Sequence, residues 1–167
     1  MSLALERARL SPPKPSNYRV GAVLVDASTD TILATGYTLE IPGNTHAEQC
    51  CFIKLAQKYG INEEAIGDIL SIQTVLYTTM EPCSKRLSGN LPCVERILQT
   101  RTGKSGGIKT VYVGVYEPAK FVTENTGRSK LEIAGVEFVH VPGLEDEILQ
   151  VATEGHLEPQ RQTQLEE

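Results

Sequence analysis

Val20-Gly-Ala-Val-Leu-Val25, the turn residues Asp26-Ala-Ser-Thr-Asp30 and the run Thr31-Ile-Leu-Ala-Thr-Gly-Tyr37 decide how this chain folds. The first run is β-branched and almost wholly apolar, which predicts a strand buried on both faces. A second strand over 31–37, reached through turn chemistry, predicts an antiparallel hairpin. Pro42-Gly-Asn-Thr45 then breaks the chain and offers a helix cap. From His46 to Tyr59, Ala47, Cys50, Cys51, Leu55 and Tyr59 recur at the three-and-four spacing of a helix, while Glu48, Gln49, Lys54, Gln57 and Lys58 fill its other faces.

Working outward, the chain upstream is a short polar lead-in with Pro12, Pro13 and Pro15. It carries charges within its first nine residues and no apolar run before a small-residue cleavage site, so no signal peptide is expected. Downstream, residues 72–79 predict a third strand, ended by Met80-Glu-Pro-Cys83, whose proline cannot continue a central ladder. Asn90-Leu-Pro-Cys93 starts a further helix, with Pro92 in a first-turn position and Val94, Ile97 and Leu98 on one face. Ile108–Tyr116 and Val136–Val141 predict strands four and five, separated by a short helix over 128–134 that Gly135 closes. A last amphipathic turn or two covers Leu144–Val151, and Ala152–Glu167 is polar without apolar period. The expectation is a single domain over 1–151, a three-layer α/β/α fold around a mixed five-stranded sheet, with a mobile tail over 152–167.

Composition narrows the function. A chain of 167 residues, 40% apolar and 22% charged, supports one core and excludes wholesale disorder. Its 16 Lys and Arg against 21 Asp and Glu give a net charge of −5, which argues against a generic nucleic-acid coat, and no nucleic-acid partner is expected. No apolar run approaches the length of a membrane span. Four cysteines, Cys50, Cys51, Cys83 and Cys93, are too few and too oddly placed for a secreted disulfide scaffold. The expected setting is intracellular and cytoplasmic, the nucleus not excluded, where reduced thiols point to metal binding or catalysis.

Two helix starts carry the unusual residues. The first reads Thr45-His46-Ala47-Glu48; the second reads Glu81-Pro82-Cys83, then nine residues, then Cys93. One imidazole and two thiolates make the three-ligand set of a catalytic zinc ion whose fourth position is kept for water. Helix amino termini help, because the positive end of the dipole stabilises thiolate. Glu48, two residues after His46, points about 200° away around a regular helix, so it is not expected as a fourth ligand on that face. In the first turn, a long carboxylate can lean over the open position, take a proton from water there and pass it to a leaving amine. Taken singly, a cysteine is more often a small buried hydrophobe than a ligand. That is the role expected of Cys50 and Cys51, which lie on the apolar helix face. The joint pattern instead matches the His-x-Glu and Pro-Cys signature of zinc deaminases, so one Zn2+ per subunit is expected on His46, Cys83 and Cys93, with Glu48 as proton shuttle.

The sequence resembles the cytidine-deaminase superfamily and, within it, the riboflavin-pathway pyrimidine deaminases of fungal type. The likeness rests on Asn17-Tyr-Arg-Val-Gly-Ala22, Thr78-Thr-Met-Glu-Pro-Cys83, Val113-Gly-Val-Tyr-Glu-Pro118 and Leu131-Glu-Ile-Ala-Gly-Val136, and spans about residues 17–140. The stretch between Cys83 and Cys93 is longer than the Pro-Cys-x-x-Cys spacing of most zinc deaminases and resembles the fungal enzymes. Glu117-Pro118 stands where the bacterial pattern has Asp-Pro, and no fused reductase domain of the bacterial kind is expected. The resemblance implies hydrolytic deamination of 2,5-diamino-6-ribitylamino-4(3H)-pyrimidinone 5′-phosphate. It also implies substrate contacts from the Asn17 side chain and the Ala47 backbone, and a homodimer. A phosphorylated substrate needs donors, and the loop between the cysteines offers Ser84, Lys85 and Arg86, with Ser88 and Asn90. Solvated surface charge is the other role open to Lys85 and Arg86, and Arg19 and Lys120 are weaker phosphate candidates. Two other functions compete. One is a tRNA adenosine or free nucleobase deaminase with the same chemistry; the other is an inactive, zinc-stabilised interaction module, against which the intact Glu48 argues.

Overall fold

The computed structural model describes residues 1–104, 106–118 and 126–156. Five strands, β1 (Gly21–Asp26), β2 (Thr31–Tyr37), β3 (Thr74–Met80), β4 (Thr110–Val115) and β5 (Glu137–His140), form one sheet in the order β2-β1-β3-β4-β5. β1 runs antiparallel to both β2 and β3, whereas β3, β4 and β5 run parallel. The sheet is therefore mixed, and one rim gathers the start of β1 with the ends of β2, β3 and β4.

Helices cover both faces, giving the expected three layers. On one side lie α2 (Ala47–Tyr59), α3 (Cys93–Thr100) and α4 (Gly127–Ile133), together with a 3-10 turn over Glu63–Asp68. Phe52, Leu55 and Ile97 pack there against Leu24, Leu76 and Val111 of the sheet. On the other side, α1 (Ser2–Ala8) and α5 (Glu145–Thr153) enclose a second cluster built from Leu5, Ala8, Met80, Val115, Ile148 and Val151. Two glycines let helices sit directly on strands. A Cβ on Gly21 would stand 1.9 Å from the Ala4 carbonyl oxygen of α1, and one on Gly36 would stand 2.2 Å from the Ala47 oxygen at the start of α2.

Several expectations need correction. The lead-in is not polar throughout: it holds α1, and Ala4, Leu5 and Ala8 fall on one side of that helix and are buried by the sheet. Pro92, with ψ of 154°, is extended and precedes α3, so Cys93 is the first helical residue. Tyr59 is 53% exposed, with the Lys58 ammonium over its ring, at the carboxyl end of α2. The last helix does not stop at Val151. Ile148, Val151 and Ala152 share one face, Ala152 is fully buried, and the chain stays packed through His156. Residues 157–167 of the expected tail, and Lys120, lie outside the described residues. Among the described residues, no helix is long and apolar enough to cross a membrane.

Candidate active site

The rim where β3 ends and α2 and α3 begin brings the sequence-distant ligand candidates together. β3 ends at Met80, and Glu81-Pro82 carries the chain to Cys83. Cys93 opens α3, and its backbone N–H, one of the helix's unpaired first-turn donors, points at the Cys83 sulfur at 3.4 Å. His46 is extended (φ −93°, ψ 162°) and caps α2. Its Nδ1 lies 3.5 Å from Cys83 Sγ and 3.6 Å from Cys93 Sγ. Among the described residues these three are the group whose donor atoms could share a metal ion, all within 4.8 Å of one another.

The residues fit zinc. A nitrogen at 2.0–2.1 Å and a sulfur at 2.3 Å from one tetrahedral centre stand ~3.6 Å apart, which is the spacing found here. Hydrogen bonding from Cys93, then contact with His46, lowers the Cys83 thiol to about 4. Cys93 is pushed the other way, by Cys83 and by burial; a metal ion binds the deprotonated sulfurs.

Glu48 sits in the first turn of α2 and is 3% exposed. Its Oε2 lies 3.3 Å from Cys93 Sγ, and its Oε1 takes the Thr78 hydroxyl at 3.3 Å. Burial, the dominant influence, raises its carboxyl above the ordinary range, with His46 opposing. A carboxyl that holds and releases a proton nearer neutrality suits a shuttle.

Above these groups opens a cleft, which His46, Glu48 and Cys83 help to line. Asn17, Lys85 and Arg86 line it. Asn17 Nδ2 donates to Asn44 Oδ1 at 3.0 Å. Lys85 is exposed at the cleft wall. Arg86 is only 9% exposed: Nη1 donates to Gln49 Oε1 at 3.0 Å, and Nη2 donates to the Asn44 carbonyl. It is thus not simply a solvated surface charge. Ser84 and Ala47 are not among the described residues lining the cleft. Ser84 Oγ instead accepts the Thr126 N–H at 3.3 Å, and Ala47 is fully buried against Gly36. Arg19 does not reach the cleft as a phosphate donor either. It is held by Glu154 and by the carbonyls of Ser11 and Arg9, a fastening between the two ends of the chain.

The cleft also holds residues that motif reading did not select. Glu117, noticed in the sequence only as a departure from Asp-Pro, lines the wall beside Glu81, which accepts its backbone N–H at 3.2 Å. Burial, reinforced by Cys83 and Glu81, pushes Glu117 up to about 7. Tyr18 lines the same wall. Its position two residues before the β1 run was the available signal. Cys50 and Cys51 are fully buried in the helix-sheet contact, their sulfurs turned to the carbonyls of Tyr37 and Ala22.

Comparison with known proteins agrees with this geometry. Residues 1–113 match the family model described as the cytidine and deoxycytidylate deaminase zinc-binding region. The chain is 36% identical over 156 residues to the diaminohydroxyphosphoribosylamino-pyrimidine deaminase of Schizosaccharomyces pombe, covering 93% of this chain and 35% of that protein, so it spans about a third of that relative's length. It superposes on the Aspergillus oryzae Rib2 deaminase, a C-terminal deletion mutant in complex with DARIPP, with a TM-score of 0.84 and 46% identity, over 93% of this chain and 88% of that one. A Thermotoga maritima diaminohydroxyphosphoribosylaminopyrimidine deaminase/5-amino-6-(5-phosphoribosylamino)uracil reductase matches with a TM-score of 0.67 and 28% identity, over 91% and 38% of the two chains. By its donor cluster, its fold and these matches, the chain belongs to the cytidine and deoxycytidylate deaminase family.

Proposed function

We propose that this protein catalyses zinc-dependent hydrolytic deamination of 2,5-diamino-6-ribitylamino-4(3H)-pyrimidinone 5′-phosphate, a step of riboflavin biosynthesis. The ring 2-amino group is replaced by oxygen: a C–O bond forms from water, the C–N bond breaks, and ammonia leaves. The observation that carries the reading is the buried Glu48, set 3.3 Å from Cys93 Sγ at the floor of a cleft that also holds cationic side chains. The A. oryzae relative solved with DARIPP supports the choice of substrate.

His46, Cys83 and Cys93 would hold the zinc ion, which when bound would supply a Lewis acid able to lower the pKa of water to ~7. Glu48 takes one proton from the attacking water and gives it to the ring nitrogen, then takes the second from the added hydroxyl as the C=O forms and gives it to the leaving amine. Thr78 orients the Glu48 carboxylate from behind. Asn17, fixed by Asn44, offers its amide to the pyrimidine. Lys85 meets the phosphate from the exposed wall, and Arg86 adds its charge while tying the loop between the cysteines to α2 through Gln49. A homodimer belongs to the same reading, on the family resemblance, and sedimentation measures it.

The test is ammonia release by purified, zinc-loaded protein given the ribitylamino-pyrimidinone phosphate and, separately, a tRNA anticodon stem. Turnover of the pyrimidine is expected; turnover of the tRNA without the pyrimidine overturns the proposal.

A further inference from the structure

The wall that carries Asn17 and Tyr18 has almost no secondary structure of its own. Residues 13–19 make one isolated bridge, Lys14 to Asn17, before β1 begins. What holds this segment is the far end of the chain. The Arg19 N–H donates to the Ala152 carbonyl at 3.0 Å, and the Arg19 guanidinium pairs with Glu154. Gly155, with φ of +92°, lies so close that a Cβ there would stand 2.7 Å from Lys14 N and 2.8 Å from the Pro13 carbonyl carbon. His156 completes the clasp. Its Nε2 is 2.9 Å from the Asn17 carbonyl oxygen, and its ring lies 5.0 Å from the Tyr18 ring at a tilt of 52°. A carbonyl only accepts, so Nε2 carries the hydrogen.

These contacts fall on two residues that line the cleft. Asn17 passes the constraint onward: its side chain binds Asn44, whose carbonyl takes Arg86, which in turn binds Gln49, the neighbour of Glu48. We propose that His156 is a positioning residue for substrate binding, acting through the Asn17 carbonyl and the Tyr18 ring to fix the cleft wall. Its contacts with Asn17 and Tyr18 lie on the cleft wall rather than among the metal donors, so it sets how well substrate is held rather than how fast bonds change. The substrate named in the test rests on the deaminase reading above.

Two zinc-loaded variants separate the roles of the His156 ring. His156→Phe keeps a ring against Tyr18 and removes the N–H; His156→Gln keeps an amide donor at similar reach. For His156→Phe, KM for the pyrimidinone phosphate rises about three- to tenfold, the loss of one net hydrogen bond, with kcat within twofold and zinc content unchanged. His156→Gln restores most of the loss. In substrate-free enzyme, hydrogen exchange of the Asn17–Arg19 amides accelerates in His156→Phe and is slowed again in His156→Gln. A wild-type KM in His156→Phe overturns the proposal. So does a raised KM that His156→Gln fails to restore and that comes with a lowered Tm, which marks a merely structural role. Should the wild-type enzyme not turn over the pyrimidine, the substrate assignment fails, while the exchange measurement still decides whether His156 holds the wall.

Discussion

Arg86→Lys separates two duties that a cation on the cleft wall can have. Arginine here binds two acceptors that face it from different elements, Gln49 Oε1 on α2 at 3.0 Å and the Asn44 carbonyl in the preceding loop, while 9% exposed. A lysine ammonium keeps the charge but is a single point that serves one of them. Losing one charge-assisted hydrogen bond at a buried acceptor costs about 1.5–3 kcal/mol. For a chain of this size, ~2–4 °C of Tm accompanies each kcal/mol, so thermal unfolding of the zinc-loaded protein shifts down by about 3–12 °C. Because the charge remains, KM for the phosphorylated pyrimidine changes less than about threefold. Lys85→Ala gives the reverse pattern. The side chain is exposed, so Tm holds within the ~0.5 kcal/mol scatter of surface substitutions, while KM rises about tenfold with the loss of a charged contact to phosphate. Calorimetry and initial rates of ammonia release read both variants. An Arg86→Lys protein with unchanged Tm and a KM raised as far as that of Lys85→Ala would refute the reasoning, since the guanidinium fork would then be reading phosphate instead of fastening the loop.

Glu48→Gln retains zinc and loses about 10²–10⁴-fold in kcat, the range of general acid–base catalysis; metal analysis beside single-turnover rates checks it, and substantial residual activity removes Glu48 from the shuttle role. Cys93→Ser lowers zinc stoichiometry, because an alkoxide is far harder to form than a thiolate at that helix start, and unchanged zinc content removes Cys93 from the ligand set. Gly21→Ala places a methyl 1.9 Å from the Ala4 oxygen and forces α1 off the sheet. It costs about 2–3 kcal/mol, read as a fall in Tm of at least ~4 °C. Glu117 supplies a pH dependence. With its carboxyl raised to about 7 against 4.5 unfolded, the folded chain holds a proton that the unfolded chain has lost, so this group's stability is complete at low pH and is lost as pH rises through 7. In metal-free protein, Glu117→Gln abolishes about 1–2 kcal/mol of that decline, after allowance for solvent screening at the part-exposed carboxyl. Urea midpoints at pH 5 and pH 8 measure it, and an undiminished decline in the variant contradicts the assignment.

Features governed by local pattern could be read before any coordinates. The β1-β2 hairpin followed from one apolar run, one turn cluster and a second run, and its register joins Gly21 to Tyr37. The ligand candidates were visible because a metal site needs rare residue types at helix starts, and His46 and Cys93 stand at two such starts. What escaped depends on partners remote in sequence. The segment Met1–Ala8 is too short to show a clear helical period, and only the sheet beneath it makes Ala4, Leu5 and Ala8 a buried face. Arg19 reads as a plausible phosphate donor until Glu154 is found beside it. Tyr59 has the right helical phase for burial, but phase alone does not say which turns of a helix have something to pack on. Glu117 carries no motif that announces a cleft residue; the parallel pairing of β3 and β4 delivers it next to Glu81.

The clasp between the two chain ends also imposes an order on how the protein is made. Arg19 and Glu154 are 135 positions apart, and Asn17 and His156 are 139. At a synthesis rate of ~5–20 residues per second, the Asn17–Tyr18 wall emerges from the ribosome ~7–30 s before the residues that fasten it. His46, Cys83 and Cys93 are all translated well inside that interval. The nascent chain therefore owns its full set of metal donors while its substrate wall is still open, and metal capture can precede the closing of the cleft rather than wait for it.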